Sequence, residues 1–292
     1  MRILIIGGGG MLGHKLVQAW KNRFDVWTTL KSRISEYEKY GIFDADKTFD
    51  LVDVEKIKEL ETIISNIKPQ VIFNAVGIIK QLPSSKNVIK TLTINSIFPH
   101  QLTQLSEKYD SRLFNISTDC VFDGKKGNYT EDDLPNADDL YGKSKNLGEV
   151  TGRNCLTLRT SIIGRELNTN HSLVEWFLSN RGKKVKGFAN AIYSGFPTIV
   201  LADIIANLIE NFQTLNGLYH ISSEPINKFE LLKIIKNKYQ ADIEIERDCD
   251  FVIDRSLNSA KFRTETGFVP QSWGKMVEKM ANDSTNYAGW KK

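Results

Sequence analysis

The chain has 292 residues, with 39 Lys and Arg against 35 Asp and Glu, a formal net charge of +4, and 41% hydrophobic residues. That is the make-up of a soluble globular chain of one large domain or two smaller ones. The charge is spread, and its one local run, Lys183-Lys184-Val185-Lys186, reads as a solvated turn, which argues against nucleic acid as a partner; three scattered cysteines, Cys120, Cys155 and Cys249, make neither a disulfide framework nor a metal site and fit a reducing cytoplasm.

The chain opens with Met1-Arg2-Ile3-Leu4-Ile5-Ile6, and Gly7-Gly8-Gly9-Gly10 ends that run before it could serve as a signal peptide core or a membrane span. Residues 2–6 predict a strand. Met11, Leu12, Leu16, Val17 and Trp20 then fall at helical spacing. Strand, glycine turn and helix in that order form the setting of a dinucleotide-binding loop, with Gly7, Gly10 and Gly13 at the required spacing. Glycine lets backbone approach a pyrophosphate, and the first helical residues, Met11 and Leu12, offer free N–H groups to it.

Residues 26–30 predict the second strand. An acid at its end would bind the ribose hydroxyl of NAD; this chain has Lys31-Ser32-Arg33 instead. Lys31 and Arg33 suit a 2′-phosphate, so NADP(H) is preferred and NAD(H) left open. Residues 34–49 carry no clear period. Asp53 is placed as the N-cap of a helix bearing Val54, Ile57 and Leu60, and Pro69 closes that helical region.

Val71-Ile72-Phe73-Asn74-Ala75-Val76-Gly77 reads as a continuous strand buried on both faces, as parallel sheets require. A long helical pattern over 88–109 holds Asn95, either partly exposed or buried to hold a water or a lysine. Strands at 112–117 and 155–160 flank a helix containing Tyr141. Strand and helix thus alternate from residue 2 to 160, which predicts a doubly wound α/β sheet with ligands at the carboxyl ends of its strands, where Gly7, Asn74, Thr118 and Thr160 all fall.

The densest chemistry lies from Ser117 to Glu149. Tyr141 and Lys145 are four residues apart, so on a helix they share a face. A free tyrosine has a pKa of about 10, and a neighbouring ammonium is expected to lower it. Thr118, at a strand tip, can hydrogen-bond the same substrate oxygen. The three predict a proton-transfer centre for a carbonyl/alcohol pair.

Past Gly164 the texture changes. Helices are expected over 172–181, 199–213, 227–239 and 273–281, strands over 218–222 and 243–247, a polar segment after residue 181 and a frayed last ten residues. Residues 1–163, rejoined by about 198–222, are expected to form the cofactor domain, and 164–292 otherwise a smaller mixed α/β substrate lobe. The four histidines lack ligand spacing, so no metal is assigned, and His220 is placed in the core.

With these residues in view, the chain resembles the extended short-chain dehydrogenase/reductases, and among them the dTDP-4-dehydrorhamnose reductase family. The motifs that carry the resemblance are Gly7-x-x-Gly10-x-x-Gly13, Asn74-Ala75, Ser117-Thr118-Asp119-x-Val121-Phe122-Asp123-Gly124, Tyr129-x-Glu131-x-Asp133-x-Pro135, and Tyr141-Gly142-Lys143-Ser144-Lys145 with Gly148-Glu149. Arg159-Thr160, Pro197-Thr198 and Arg255 with Ser259 add support. The resemblance implies NADPH-dependent reduction of the C4 ketone of a nucleotide-activated 6-deoxysugar. Tyr141 would be the proton donor, Lys145 would hold the cofactor ribose, and Thr118 would bind the ketone oxygen. Asp50 and Leu51 would flank the adenine, and Asn74, Ala75 and Val76 would line the cofactor. The implied substrate contacts are Gly77, Lys80, Asp119, Cys120, Ile162 and Arg255.

The chain departs from the family at Cys120, where an aromatic residue is common, and at Ile162-Ile163, where a tryptophan is. Gly77-Ile78-Ile79-Lys80-Gln81 also differs from the usual segment. A UDP-linked N-acetylated 4-keto sugar therefore fits as well as a dTDP-linked one. Two alternatives stay open: an epimerase with retained NAD(P), and a non-catalytic, cofactor-sensing regulatory subunit. A homodimer is also left open.

Overall fold

Ile3, Leu4, Ile5 and Ile6 are all fully buried, and their burial divides by parity. Ile3 and Ile5 join one hydrophobic cluster, together with Phe73, Phe114, Leu156 and Leu158. Leu4 and Ile6 join another, with Ile72 and Leu113. Alternate side chains of a strand leave opposite faces of its sheet, so a strand apolar at every position needs cover on both sides. A computed structural model describing residues 1–291 shows how the chain supplies it.

The first half runs β1 (Arg2–Ile6), α1 (Met11–Trp20), β2 (Asp25–Thr29), β3 (Thr48–Phe49), α2 (Ile57–Ile67) and β4 (Val71–Asn74). Then follow α3 (Val88–Leu92), α4 (Phe98–Lys108), β5 (Arg112–Thr118), α5 (Leu140–Leu147) and β6 (Cys155–Thr160). The second half holds β7 (Ile162–Ile163), α6 (Leu173–Leu178), β8 (Lys184–Tyr193), β9 (Phe196–Pro197), α7 (Thr198–Asn211) and β10 (Gly217–His220). It ends with β11 (Ile226–Asn227), α8 (Lys228–Lys238), β12 (Glu244–Asp254), α9 (Ala260–Thr266) and α10 (Trp273–Ala281).

Seven strands form one parallel sheet in the order β10-β6-β5-β4-β1-β2-β3. Helices α1 and α7 cover one face, and the Trp20 indole nitrogen donates to the Ala202 carbonyl at 3.0 Å between them. Helices α2 and α4 cover the other face. This is the Rossmann-like doubly wound α/β architecture expected, and β10 returns to the sheet from beyond residue 198.

A second sheet, ordered β11-β8-β12, was not foreseen at its true length. The segment expected to be polar is the ten-residue strand β8, with Val185, Gly187, Ala189, Ala191 and Tyr193 alternating inward. Three of those five positions are Gly or Ala, too small to show an apolar stripe in the sequence. Lys184 and Lys186 begin this strand rather than a solvated turn, and pair with Glu244, Glu246 and Asp248 of β12. Strand β12 itself runs to Asp254, well past the expected residue 247.

Other boundaries moved as well. Asp53 accepts from the Glu55 amide at 3.1 Å and closes a turn, but helix α2 starts only at Ile57. β4 ends at Asn74, so Ala75, Val76 and Gly77 form its exit loop. The 88–109 pattern is interrupted by a π-helical turn, Thr93–Ile97, which contains Asn95. The expected frayed tail is docked: Tyr287 is 1% exposed, its hydroxyl lies 2.8 Å from His14 Nε2, and Asp283 pairs with the buried Lys15. Trp290 sets its ring edge-on against Tyr40 with centroids 4.8 Å apart. Two aromatic residues in a polar stretch leave no periodic signal, yet suffice to anchor it.

Candidate active site

The turn after β1 is built on backbone proximity. Gly7 has φ +92°, a conformation that side chains disfavour, and a Cβ there would lie 2.7 Å from Val76. A Cβ on Gly13 would meet the Gly7 carbonyl oxygen at 2.1 Å, so only glycine lets α1 approach the strand this closely. Gly10 is the N-cap, without a side-chain cap, and the first turn of α1 carries no acid. Met11 is half-buried and Leu12 buried. Such a helix start presents unsatisfied N–H groups and a positive dipole end to an anion.

At the end of β2, Lys31 and Arg33 are exposed. Asp50 accepts from the Ile34 amide at 2.9 Å, and beside it Leu51 stands 56% exposed with φ +56°. Asn74 spends its side chain within the protein, donating to Asn115 Oδ1 at 2.9 Å and accepting from the Val76 amide at 3.1 Å. It ties the ends of β4 and β5 and shapes the Ala75–Val76 exit. Asn95, buried in the π-helical turn, clamps the next stretch of that loop. It accepts from the Ile78 amide at 2.8 Å, and donates to the Ile78 carbonyl at 3.0 Å and to Ser144 Oγ at 3.1 Å. Its role is therefore to join the loop after β4 to helix α5.

Helix α5 is capped by Asp139, whose carboxylate accepts from the Gly142 amide at 2.9 Å. The same carboxylate pairs with Lys80 at 2.7 Å, and Lys80 Nζ lies over the Tyr141 ring, 5.6 Å from its centroid. Tyr141 is half-buried at the carboxyl end of β5, next to Thr118, Cys120 and Asp119. One turn along the helix, Lys145 is buried and donates to the Ile116 carbonyl at 2.6 Å. Burial holds its ammonium down to about 8, with Glu149 opposing.

The expected tuning of Tyr141 is reversed. Burial pushes the phenol above its ordinary pKa, the Cys120 thiol adds to this, and the Thr118 hydroxyl opposes it. Desolvation of the phenolate dominates, and Lys145 gives its ammonium to the Ile116 carbonyl. A phenol held in this way keeps its proton at neutral pH, as a proton donor requires.

Across from Tyr141, the end of β12 docks on the loop that follows Thr118. Arg255 Nε donates to the Phe122 carbonyl at 2.8 Å, and its Nη1 approaches Cys120 Sγ at 3.7 Å. Burial pushes the Cys120 thiol up to about 12, and raises the buried Asp119 carboxyl, which accepts from Thr118 Oγ1 at 3.1 Å. Thr118, Asp119, Cys120, Tyr141, Lys80 and Arg255 are thus brought together. Gly77 is exposed on the β4 exit loop, and Ile162 is half-buried against the main core from β7. Sequence reasoning missed Lys228, the first residue of α8, on whose ammonium Asp119, Cys120 and Arg255 act. The Asn227 cap before it marks the helix start, but nothing local says which loop that start faces.

A buried network fixes the strand ends under the site. Glu149 accepts from Arg159 Nε and Nη2, each at 2.7 Å, and from Ser117 Oγ at 2.6 Å. Arg159 Nη1 lies 3.1 Å from His220 Nε2, and His220 Nδ1 lies 3.0 Å from the Tyr129 carbonyl. His220 is fully buried, a core residue as expected. Burial, then the Arg159 charge, holds its imidazole down to about 4 from the ordinary 6.5. Between those two pH values the unfolded chain takes up a proton that the folded chain refuses. Stability should therefore fall on acidification across that window, by up to roughly 3 kcal/mol. Urea unfolding at pH 7, 6 and 5 should show a smaller acid loss for His220→Asn than for wild type; equal slopes would remove His220 as the cause.

With a Tyr-x-x-x-Lys helix at the carboxyl edge of a parallel sheet opened by a glycine turn, the molecule is an extended short-chain dehydrogenase/reductase. A family model described as the RmlD substrate binding domain matches residues 1–286, and the chain belongs to that family. It is similar to a dTDP-4-dehydrorhamnose reductase of Aggregatibacter actinomycetemcomitans, at 25% identity over 95% of this chain and 97% of the relative. It is also similar to methionine adenosyltransferase 2 subunit beta of Danio rerio, at 26% identity over 82% of this chain and 74% of the relative. Among solved structures, the dTDP-4-dehydrorhamnose reductase from Bacillus anthracis in complex with NADP superposes with a TM-score of 0.78. Its identity is 23%, covering 97% of this chain and 99% of that one.

Proposed function

We propose that the protein reduces the C4 ketone of a nucleotide-activated 6-deoxy-4-keto sugar with NADPH, in the synthesis of a surface polysaccharide. The sugar is carried on dTDP, as in dTDP-4-dehydrorhamnose, or is an N-acetylated sugar on UDP. The observation that carries this reading is the half-buried phenol of Tyr141, its proton held on by burial, beside Thr118 at the end of β5. The reductase relatives and the NADP-holding neighbour support it.

In this reading Gly7, Gly10, Gly13 and the amides of Met11 and Leu12 receive the cofactor pyrophosphate. Lys31 and Arg33 take the 2′-phosphate, Asp50 and Leu51 flank the adenine, and Asn74, Ala75 and Val76 line the remainder. An apolar side chain left open in a left-handed turn, as at Leu51, suits contact with a flat base. Bound NADPH supplies the hydride. Tyr141 donates its proton to the oxygen that becomes the C4 hydroxyl, Thr118 orients that oxygen, and Lys145 holds the nicotinamide ribose. Gly77, Lys80, Asp119, Cys120, Ile162 and Arg255 meet the substrate. Residues 1–163 with 198–222 carry the cofactor, and the rest of 164–292 carries the sugar nucleotide.

The test is NADPH oxidation against a panel of 4-keto sugar nucleotides on dTDP and UDP. Turnover on at least one supports the reading. Cofactor binding with no turnover on any would favour the non-catalytic regulatory reading, as would the likeness to a methionine adenosyltransferase subunit, and tightly retained NAD+ in purified protein would favour an epimerase. Replacing Lys31 and Arg33 by Ala should weaken NADPH by about tenfold or more while changing NADH little, as removal of charge-assisted bonds to a phosphate predicts. Equal losses in a fluorescence titration would remove the 2′-phosphate assignment.

A further inference from the structure

We propose that Lys228, together with Arg255, holds the diphosphate of the sugar nucleotide and selects nucleoside diphosphates over monophosphates. This rests on the sugar-nucleotide reading above and adds a residue to it.

The placement follows from the second sheet. In β11, Ile226 pairs with Tyr193 and Asn227 with Ile192; in β12, Ile253 pairs with Ala191 and Asp254 with Ile192. Lys228 and Arg255, each the next residue after its strand, therefore leave opposite edges of β8 at the same end of the sheet. That end is pinned to the active-site loop: the Asp254 amide donates to the Gly124 carbonyl at 2.7 Å, and Arg255 Nε to the Phe122 carbonyl at 2.8 Å. Arg255 thus meets the Asp119–Cys120 turn, and Lys228 stands near enough for Asp119 and Cys120 to act on its charge; burial lowers its pKa while Asp119 pulls the other way.

What sets Lys228 apart is the lack of a partner. Lys80 has Asp139, Lys126 has Asp133, and Lys184 and Lys186 have the acids of β12. Among the described residues, half-buried Lys228 makes no hydrogen bond or ion pair, and Arg255 has no carboxylate in ion-pair range. Asp119 is the acid that acts on Lys228. It bonds to Thr118, and burial drives it toward its neutral form. A desolvated ammonium with no counter-charge costs free energy, which a bound anion would offset. A guanidinium and an ammonium offered from two sides match the two charged phosphates of a diphosphate. This place is separate from the glycine turn at the end of β1, so it does not compete for the cofactor's own phosphates.

The experiment is calorimetric titration of the full chain and of Lys228→Met and Lys228→Arg with dTDP, UDP, dTMP and UMP, with NADPH as a control ligand. Wild type should bind at least one diphosphate more tightly than its monophosphate. Lys228→Met should lose about ten- to a hundredfold for that diphosphate, and little for the monophosphate. Lys228→Arg should recover most of the loss, and NADPH should bind all three alike. Unchanged diphosphate binding in Lys228→Met overturns the proposal while leaving the reductase reading in place. A parallel loss of NADPH also overturns it, since Lys228 would then serve the cofactor or the fold. Wild type that binds neither dTDP nor UDP overturns both readings. The predicted binding pattern without ketone reduction upholds this one alone.

Discussion

Tyr141→Phe should lower turnover by about two to four orders of magnitude, the range contributed by a positioned general acid. Phenylalanine keeps the ring under Lys80 and the packing of α5, and removes only the hydroxyl beside Thr118. NADPH affinity should therefore stay within about twofold, because the lost interaction belongs to the transition state. Steady-state kinetics and a fluorescence titration decide the matter together. If affinity for the cofactor collapses along with the rate, the phenol is a binding group and the assigned chemistry is wrong. The pH profile adds a second reading. The phenol is held above its ordinary pKa, whereas burial brings Lys145 down to about 8. The rate should therefore decline above about pH 8 as the ammonium is lost, with Tyr141 still protonated.

Glu149→Ala should destabilise the fold by about 3–5 kcal/mol, the cost of leaving a buried charge without its partner. Arg159 is 3% exposed and holds that carboxylate with two hydrogen bonds, and Ser117 uses the same group. Ser117 precedes Thr118 and Arg159 precedes Thr160, so the loss falls directly beneath the site. Urea denaturation should show the deficit, with a melting temperature lower by on the order of 10 °C. The double variant Glu149→Leu with Arg159→Met should recover much of it, since an apolar pair carries no stranded charge. A single-variant loss below about 0.5 kcal/mol, typical of surface positions, would show that the pair is not what holds β5 and β6 in place.

The half of the molecule that was legible is the half built from local repetition. Val71 to Gly77 announces a sheet covered on both faces, and glycine at 7, 10 and 13 announces the turn. Tyr141 and Lys145 needed only helical spacing to be placed on one face. What stayed hidden depended on distance or on small side chains. Strand β8 buries Gly187, Ala189 and Ala191, so its alternation is real but silent. Arg255 meets Cys120 across 135 positions of sequence. Lys228 comes into electrostatic range of the same turn from a helix whose local pattern shows only its cap. The direction of the Tyr141 shift was missed for a physical reason as well. Spacing sets which residues are neighbours, but whether an ammonium points at a phenol or at the Ile116 carbonyl depends on the strand beneath it.

The docked segment from Asp283 to Trp290 bears on how the protein is made. Its anchors are Lys15 and His14 on the first helix, and Tyr40 just beyond the second strand. A ribosome delivers those surfaces long before the segment that covers them. The six main-sheet strands up to Thr160 can pair before that segment emerges, but the outer wall of α1 stays bare until it does. Burial of Lys15 and His14 therefore comes late in the order of folding, and a chain lacking Asp283 to Trp290 would leave that wall bare.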